Sequence, residues 1–133
     1  MRVLVDTCVW TRFLRKGSKD DPAAVELEQL IRADAVQMLG PIRQELLSGA
    51  QPRERFERVR DYLRYYPNLR LDEDDDECAA EYYNICRCNG VQATSTDLVI
   101  CAVAVRHQLK IFTTDGDFTR YQEYLPIKLH RTR

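Results

Sequence analysis

Histidine is scarce in this sequence, with two in 133 residues, and there is a single tryptophan. His107 falls near a helix end and His130 in a terminal strand by its surroundings, so a histidine pair for acid–base catalysis has no natural place. Both read as structural or surface residues. The five cysteines, at positions 8, 78, 86, 88 and 101, are odd in number and irregularly spaced, which excludes a disulfide framework. Cys86-Arg87-Cys88 also lacks the second pair that a zinc site needs, and the thiols read as reduced and mostly as core fillers. Long apolar runs are missing too. The longest, Leu98 to Val105, is far short of the roughly 20 residues that span a bilayer. Asp6 cuts the apolar start Val3-Leu4-Val5 before it could serve as the core of a signal peptide, so no membrane association and a cytoplasmic setting are expected. No Gly-x-x-x-x-Gly-Lys-Ser/Thr and no Gly-x-Gly-x-x-Gly follows a strand, which removes the nucleotide-cofactor folds. Charge of one sign is absent as well: 20 Lys and Arg against 21 Asp and Glu leave −1. Nucleic-acid binding cannot be argued from a global basic excess.

What is present is the composition of an ordinary globular chain, 44% hydrophobic and 31% charged, of a length suited to one domain over residues 1–133. Short β-rich runs at 2–5, 36–39, 69–71, 110–114 and 127–130 read as five strands. Helical patterns lie between them. Asp21-Pro22 supplies a cap and a first-turn proline for a helix through Arg32, and Phe56, Val59, Leu63 and Tyr66 share one helix face. Cys78, Tyr82, Ile85 and Cys86 share another, stopped by Asn89-Gly90. The stretch Thr96 to Leu109 is apolar all round in its first half and predicts a buried central helix. Strands alternating with helices give an α/β class, a parallel sheet with helices on both faces. The acidic run at 72–77 reads as a solvated helix start favoured by the helix dipole rather than as a metal or partner site.

In such a sheet ligands bind beyond the carboxyl ends of the strands, where strand order reverses. Acids stand at those ends. Asp6 closes the first strand, Glu45 lies early in the helix after the second, and Asp115 and Asp117 follow the strand after the buried helix. Asp97 opens that helix directly before Leu98-Val99-Ile100, where an unpaired carboxylate is costly to desolvate. Each acid has a local structural explanation, as a dipole partner, a surface acid or a turn residue, but Asp6 has none that is obvious. Carboxylates brought this close repel one another unless a cation neutralises them. Oxygen ligands without paired His or Cys suit Mg2+ or Mn2+, and such a site supports hydrolysis of a phosphodiester by metal-activated water. An aspartyl-phosphate fold would show Asp-x-Asp at the end of the first strand, where this chain has Cys8.

Asp6-Thr7-Cys8-Val9-Trp10, Gly40-Pro41-Ile42-Arg43-Gln44-Glu45, Thr96-Asp97-Leu98-Val99-Ile100 and Thr113-Thr114-Asp115-Gly116-Asp117-Phe118 together resemble the ordered signature of PIN-domain nucleases, above all VapC-type toxins of toxin-antitoxin modules. The resemblance covers nearly the whole chain. It implies a PIN-like three-layer α/β/α sandwich with strand order 3-2-1-4-5 and a Mg2+- or Mn2+-dependent endoribonuclease. It implies Asp6, Asp97 and Asp115 as metal ligands, Glu45 as the acid that orients or deprotonates water, Asp117 in an outer position and Thr113 as a hydroxyl brace. Cys8 departs from the serine common in that family, and no role is carried to it. A homodimer, a small cognate antitoxin and an RNA substrate are implied as partners. The alternatives are a PIN nuclease of RNA processing and a PIN module that binds RNA or a partner without cutting. Arg12, Arg15 and Lys16, with Arg43 next, are the basic residues expected to offset the acids toward RNA.

Overall fold

Val3, Leu4 and Val5 are buried without a polar alternation, the pattern of a central strand covered on both faces. The computed structural model, which describes residues 2–131, places this strand, β1 (Val3–Val5), in the middle of a parallel sheet. β2 (Val36–Leu39) pairs on one side, with Val3 opposite Val36, and β4 (Lys110–Phe112) on the other, with Leu4 opposite Ile111. β3 (Asn68–Leu69) borders β2. The order is therefore 3-2-1-4. The fifth strand expected at 127–130 is reduced to one parallel bridge between Ile111 and Leu129, carried by Ile111 N–H to Lys128 O (2.9 Å) and His130 N–H to Ile111 O (2.7 Å). Among the described residues the expected order 3-2-1-4-5 is thus kept for four strands, with the fifth contracted to a bridge beside β4.

Helices pack on both sides of the sheet. They are α1 (Thr7–Leu14), α2 (Pro22–Arg32), α3 (Gly40–Ser48), α4 (Arg53–Leu63), α5 (Glu73–Cys88), α6 (Ser95–Arg106) and α7 (Asp117–Gln122). α2 starts as its sequence predicts, with the Asp21 carboxylate accepting from Ala23 N–H at 2.9 Å and Pro22 in the first turn. α6 buries Leu98 and every residue from Ile100 to Ala104, consistent with its all-round apolar first half. Two helices lie outside the predicted set. α1 follows β1 without a loop, and α7 has six residues, too few to show a period, beginning directly after the turn residues Asp115-Gly116.

The acidic run resolves into a clamp. Asp72 and Asp75 cap α5 reciprocally, each side chain accepting the other's backbone N–H at 3.0 Å. Asp75, 1% exposed, also accepts from the Arg106 guanidinium and lies 3.2 Å from His107 Nε2, both at the C-terminal end of α6. Arg106 reaches Asp72 (3.1 Å) and Asp74 (3.6 Å) as well, so α5 and α6 run antiparallel and are tied end to end. Burial pushes the Asp75 carboxyl up, but the hydrogen bonds from Asp72 N–H, Arg106 and His107 outweigh it and hold the group below the usual carboxylate range. His130 is structural too, its Nε2 lying 2.6 Å from Glu26 of α2.

Arg43 does not serve the role expected of it toward RNA. Its guanidinium donates to Asn68 Oδ1 (2.9 Å), Leu63 O (3.0 Å) and Tyr66 O, stitching α3 to the end of α4 and to β3. Leu63 O, at the end of α4, and Tyr66 O just beyond it lack partners within the helix, and the half-buried Arg43 donates to both. The cysteines are all free; Cys86 and Cys101 are buried, whereas Cys88 is exposed.

Candidate active site

β1 and β4 are neighbours in space but far apart in the chain, and the connections leaving them diverge, which opens a crevice beyond their carboxyl ends. Asp6 is the first residue past β1. Its N–H is bonded to Phe112 O of β4 at 2.9 Å, and its carboxylate is 6% exposed. Oδ1 accepts from Thr7 N–H (2.8 Å) and so caps α1, while Oδ2 accepts from the Thr113 hydroxyl (2.8 Å) just past β4. Thr113 Oγ1 accepts in turn from Asp115 N–H at 3.0 Å. The hydroxyl brace implied for Thr113 is thus in place between two of the acids. Cys8 sits in the same cluster: Sγ lies 3.5 Å from Asp6 Oδ2 and 3.4 Å from Thr113 Oγ1, and accepts from Thr114 N–H at 3.3 Å. A thiol therefore makes these contacts at the position where the family commonly has serine.

Asp97 stands in the first turn of α6, its N–H bonded to the capping Thr94 hydroxyl at 3.1 Å. Carboxylate oxygens of Asp97, Asp115 and Asp117 all lie within 4.8 Å of one another. Asp117 is positioned by its N–H on Asp115 Oδ1 (2.9 Å), and its carboxylate pairs with Arg120 one turn along α7. Burial is the main reason the Asp97 carboxyl is held above its usual range, and the charges of Asp6 and Asp115 push the same way. The Tyr121 hydroxyl, from a ring that is 1% exposed, opposes this by donating to Asp97 Oδ2 at 2.8 Å. Burial and the neighbouring carboxylates of Asp97 and Asp6 likewise raise the Cys101 thiol beneath them. Glu45, in α3, joins from the other side of Asp6, its Oε1 accepting from the Thr7 hydroxyl at 3.1 Å.

The structure therefore brings Asp6, Asp97 and Asp115 to one crevice, adds Asp117 to the converging oxygens, and links Glu45 through Thr7. Sequence reasoning did not find Tyr121. Its only sequence signal is an aromatic four residues after Asp117, which a short helix turns toward the crevice. The donor set is all oxygen and all anionic. The converging oxygens of Asp97, Asp115 and Asp117, with buried Asp6 beside them, fit a hard divalent cation, which would offset both the burial and the neighbouring charges that raise Asp97.

The profile of the PIN domain family matches residues 3–124. VapC ribonuclease Mb1587 of Mycobacterium bovis and ribonuclease VapC11 of Mycobacterium tuberculosis are each 32% identical to this chain over 120 residues, covering 87% of it and 88% of theirs. Among solved structures, FitAcB from Neisseria gonorrhoeae has a TM-score of 0.78 at 20% identity, over 98% of this chain and 97% of that one. VapBC2 from Rickettsia felis, bound to a DNA fragment from its promoter, has a TM-score of 0.79 at 17% identity, over 98% of both chains. At these identities the solved structures speak to the fold, and the two mycobacterial ribonucleases to the family.

Proposed function

The chain belongs to the PIN-domain family, and from that premise we propose that it is a metal-dependent endoribonuclease, the toxin component of a toxin-antitoxin module. The observation that carries this is the convergence of Asp97, Asp115 and Asp117 beside buried Asp6 at the switch point of the sheet. Asp6, Asp97 and Asp115 would hold Mg2+ or Mn2+, with Asp117 beside them. When bound, the ion supplies an acidified water and a counter-charge for the phosphodiester. Glu45 has Oε1 committed to the Thr7 hydroxyl, which leaves Oε2 to take the proton of the attacking water. Thr113 keeps the Asp6 carboxylate turned toward the crevice, and Tyr121 does the same for Asp97 by occupying one oxygen only.

Among the described residues no helix is long and apolar enough to cross a membrane. An RNA substrate in the cytoplasm, a small antitoxin that covers the crevice and a homodimeric assembly complete the proposal. The test is cleavage of total cellular RNA by protein freed of any bound partner. Cutting is expected with Mg2+ or Mn2+, is lost in chelator and returns when the ion is restored; cutting that continues in chelator overturns the mechanism.

Tyr121 gives a second test. Tyr121→Phe keeps the buried ring and removes only the hydroxyl on Asp97. Mn2+ binding, measured by calorimetry, is expected to weaken about tenfold, the low end for losing a hydrogen bond to a ligand. Thermal unfolding without metal should change little, and unaltered Mn2+ affinity would show that the hydroxyl does not position Asp97.

A further inference from the structure

A cleft of about 640 Å3 opens directly off the acidic crevice and shares Asp117, Arg120 and Tyr121 with it. Its far wall is the last part of α5, with Tyr83 and Arg87, and its floor is the loop from Gly90 to Thr94 that leads into α6. Tyr83 is 40% exposed although its ring is large and apolar. On its other side the same ring borders a second depression of about 310 Å3, lined by Ala79, Ala80, Leu98 and Val99. Tyr83 is thus a partition between a cleft of mixed polar and apolar lining and an apolar shelf.

Arg87 differs from Arg120, the other arginine of the cleft. Arg120 is engaged by Asp117, whereas Arg87 has no ion-pair partner among the described residues. An unpaired guanidinium facing a cleft that leads to four carboxylates supplies what that crevice lacks, an attraction for phosphate next to groups that repel it. Single-stranded nucleic acid is held in this way, by cations along the backbone and by aromatic faces that stack its bases. The cleft volume also falls within the range of small-ligand sites.

Taking the ribonuclease reading above as its basis, we propose that this cleft seats the nucleotide adjoining the scissile phosphate of single-stranded RNA, with Arg87 on its phosphate and Tyr83 stacked on its base. The apolar shelf beyond Tyr83 takes the next base along. The acids cut; this cleft holds.

The experiment uses the Asp6→Asn protein, which keeps the α1 cap, with a fluorescein-labelled single-stranded RNA of random sequence followed by anisotropy. Adding Tyr83→Ala is expected to weaken binding about tenfold, within the range for loss of one stacked base. Adding Arg87→Ala should weaken it and lower the slope of log K against log salt by about 0.7, the signature of one phosphate contact on a single strand. Arg32→Ala, an exposed arginine at the end of α2 that pairs with Glu28, is the control of equal charge change and should leave both unchanged. In the protein with Asp6 intact, Tyr83→Ala and Arg87→Ala should raise KM more than they lower kcat. Binding and salt slope unaltered by both changes, in a protein that still cleaves RNA, overturn the cleft and leave the nuclease standing. Loss of a co-expressed antitoxin with unaltered RNA binding also overturns it, in favour of a protein-docking surface. Absence of metal-dependent cleavage in the unsubstituted protein instead removes the reading on which the cleft rests.

Discussion

Asp97→Asn protein is expected to cleave RNA on the order of a thousandfold more slowly than the unsubstituted protein while remaining folded. The magnitude follows from several kcal/mol of transition-state charge stabilisation by a bound metal, at about 1.4 kcal/mol per tenfold in rate. The fold is expected to survive because asparagine keeps the volume and can still accept from the Tyr121 hydroxyl, which bonds a single oxygen of Asp97. Removing one charge also relieves the repulsion from Asp6 and Asp115, so the metal-free variant should unfold at no lower temperature. Mn2+ should raise the melting temperature of the unsubstituted protein and fail to raise that of the variant. Asp6→Asn should behave alike in cleavage, since asparagine still caps α1. Cleavage by both variants at the unsubstituted rate would sink the site.

Asp75→Asn is expected to have the largest effect on stability among substitutions of the surface acids' run, about 2 kcal/mol at neutral pH, the scale of a hydrogen bond to a charged group in a buried setting. The partly solvated Arg106 keeps the loss from being larger, because its charge is not stranded when the carboxylate goes. The pH dependence has a definite sign. Asp75 is held below the usual carboxylate range in the folded protein, so its contribution is complete above the unfolded value of about 4 and disappears as pH falls through the lower folded one. Urea unfolding at neutral and acidic pH should show the variant's deficit shrinking in acid. A deficit that is constant with pH would mean that the charge on Asp75 contributes nothing.

Much of this was visible in the residues. Asp6 stood out because a carboxylate at the end of a buried strand has no obvious local use, although the structure gives it one as the cap of α1, and Asp97 and Asp115, each with a local explanation of its own, stood out by falling at a helix start and a strand end on the same side. The structure brings them to one crevice. The acidic run at 72–77 was legible as a helix start but not as a clamp, since its partners Arg106 and His107 lie more than thirty residues on and nothing in local sequence points to them. Arg43 misled for the same reason: an arginine near a strand end looks free until the carbonyls of α4 are in place. The strand expected at 127–130 has the residue types of a strand and lies beside β4, but pairs with it at one bridge only. Cys8 could not be judged by residue type, because a thiol takes up a hydroxyl's place only when the distances allow it.

The sheet's two borders carry a consequence for behaviour at high concentration. On one side the last strand is the two residues Asn68 and Leu69, and on the other a single bridge at Leu129 covers part of β4. A long open border is a template on which another chain can add a strand, and proteins suppress that hazard by keeping border strands short. Here almost no template is left. Strand-to-strand addition at these borders is therefore expected to be slight in concentrated or overproduced protein.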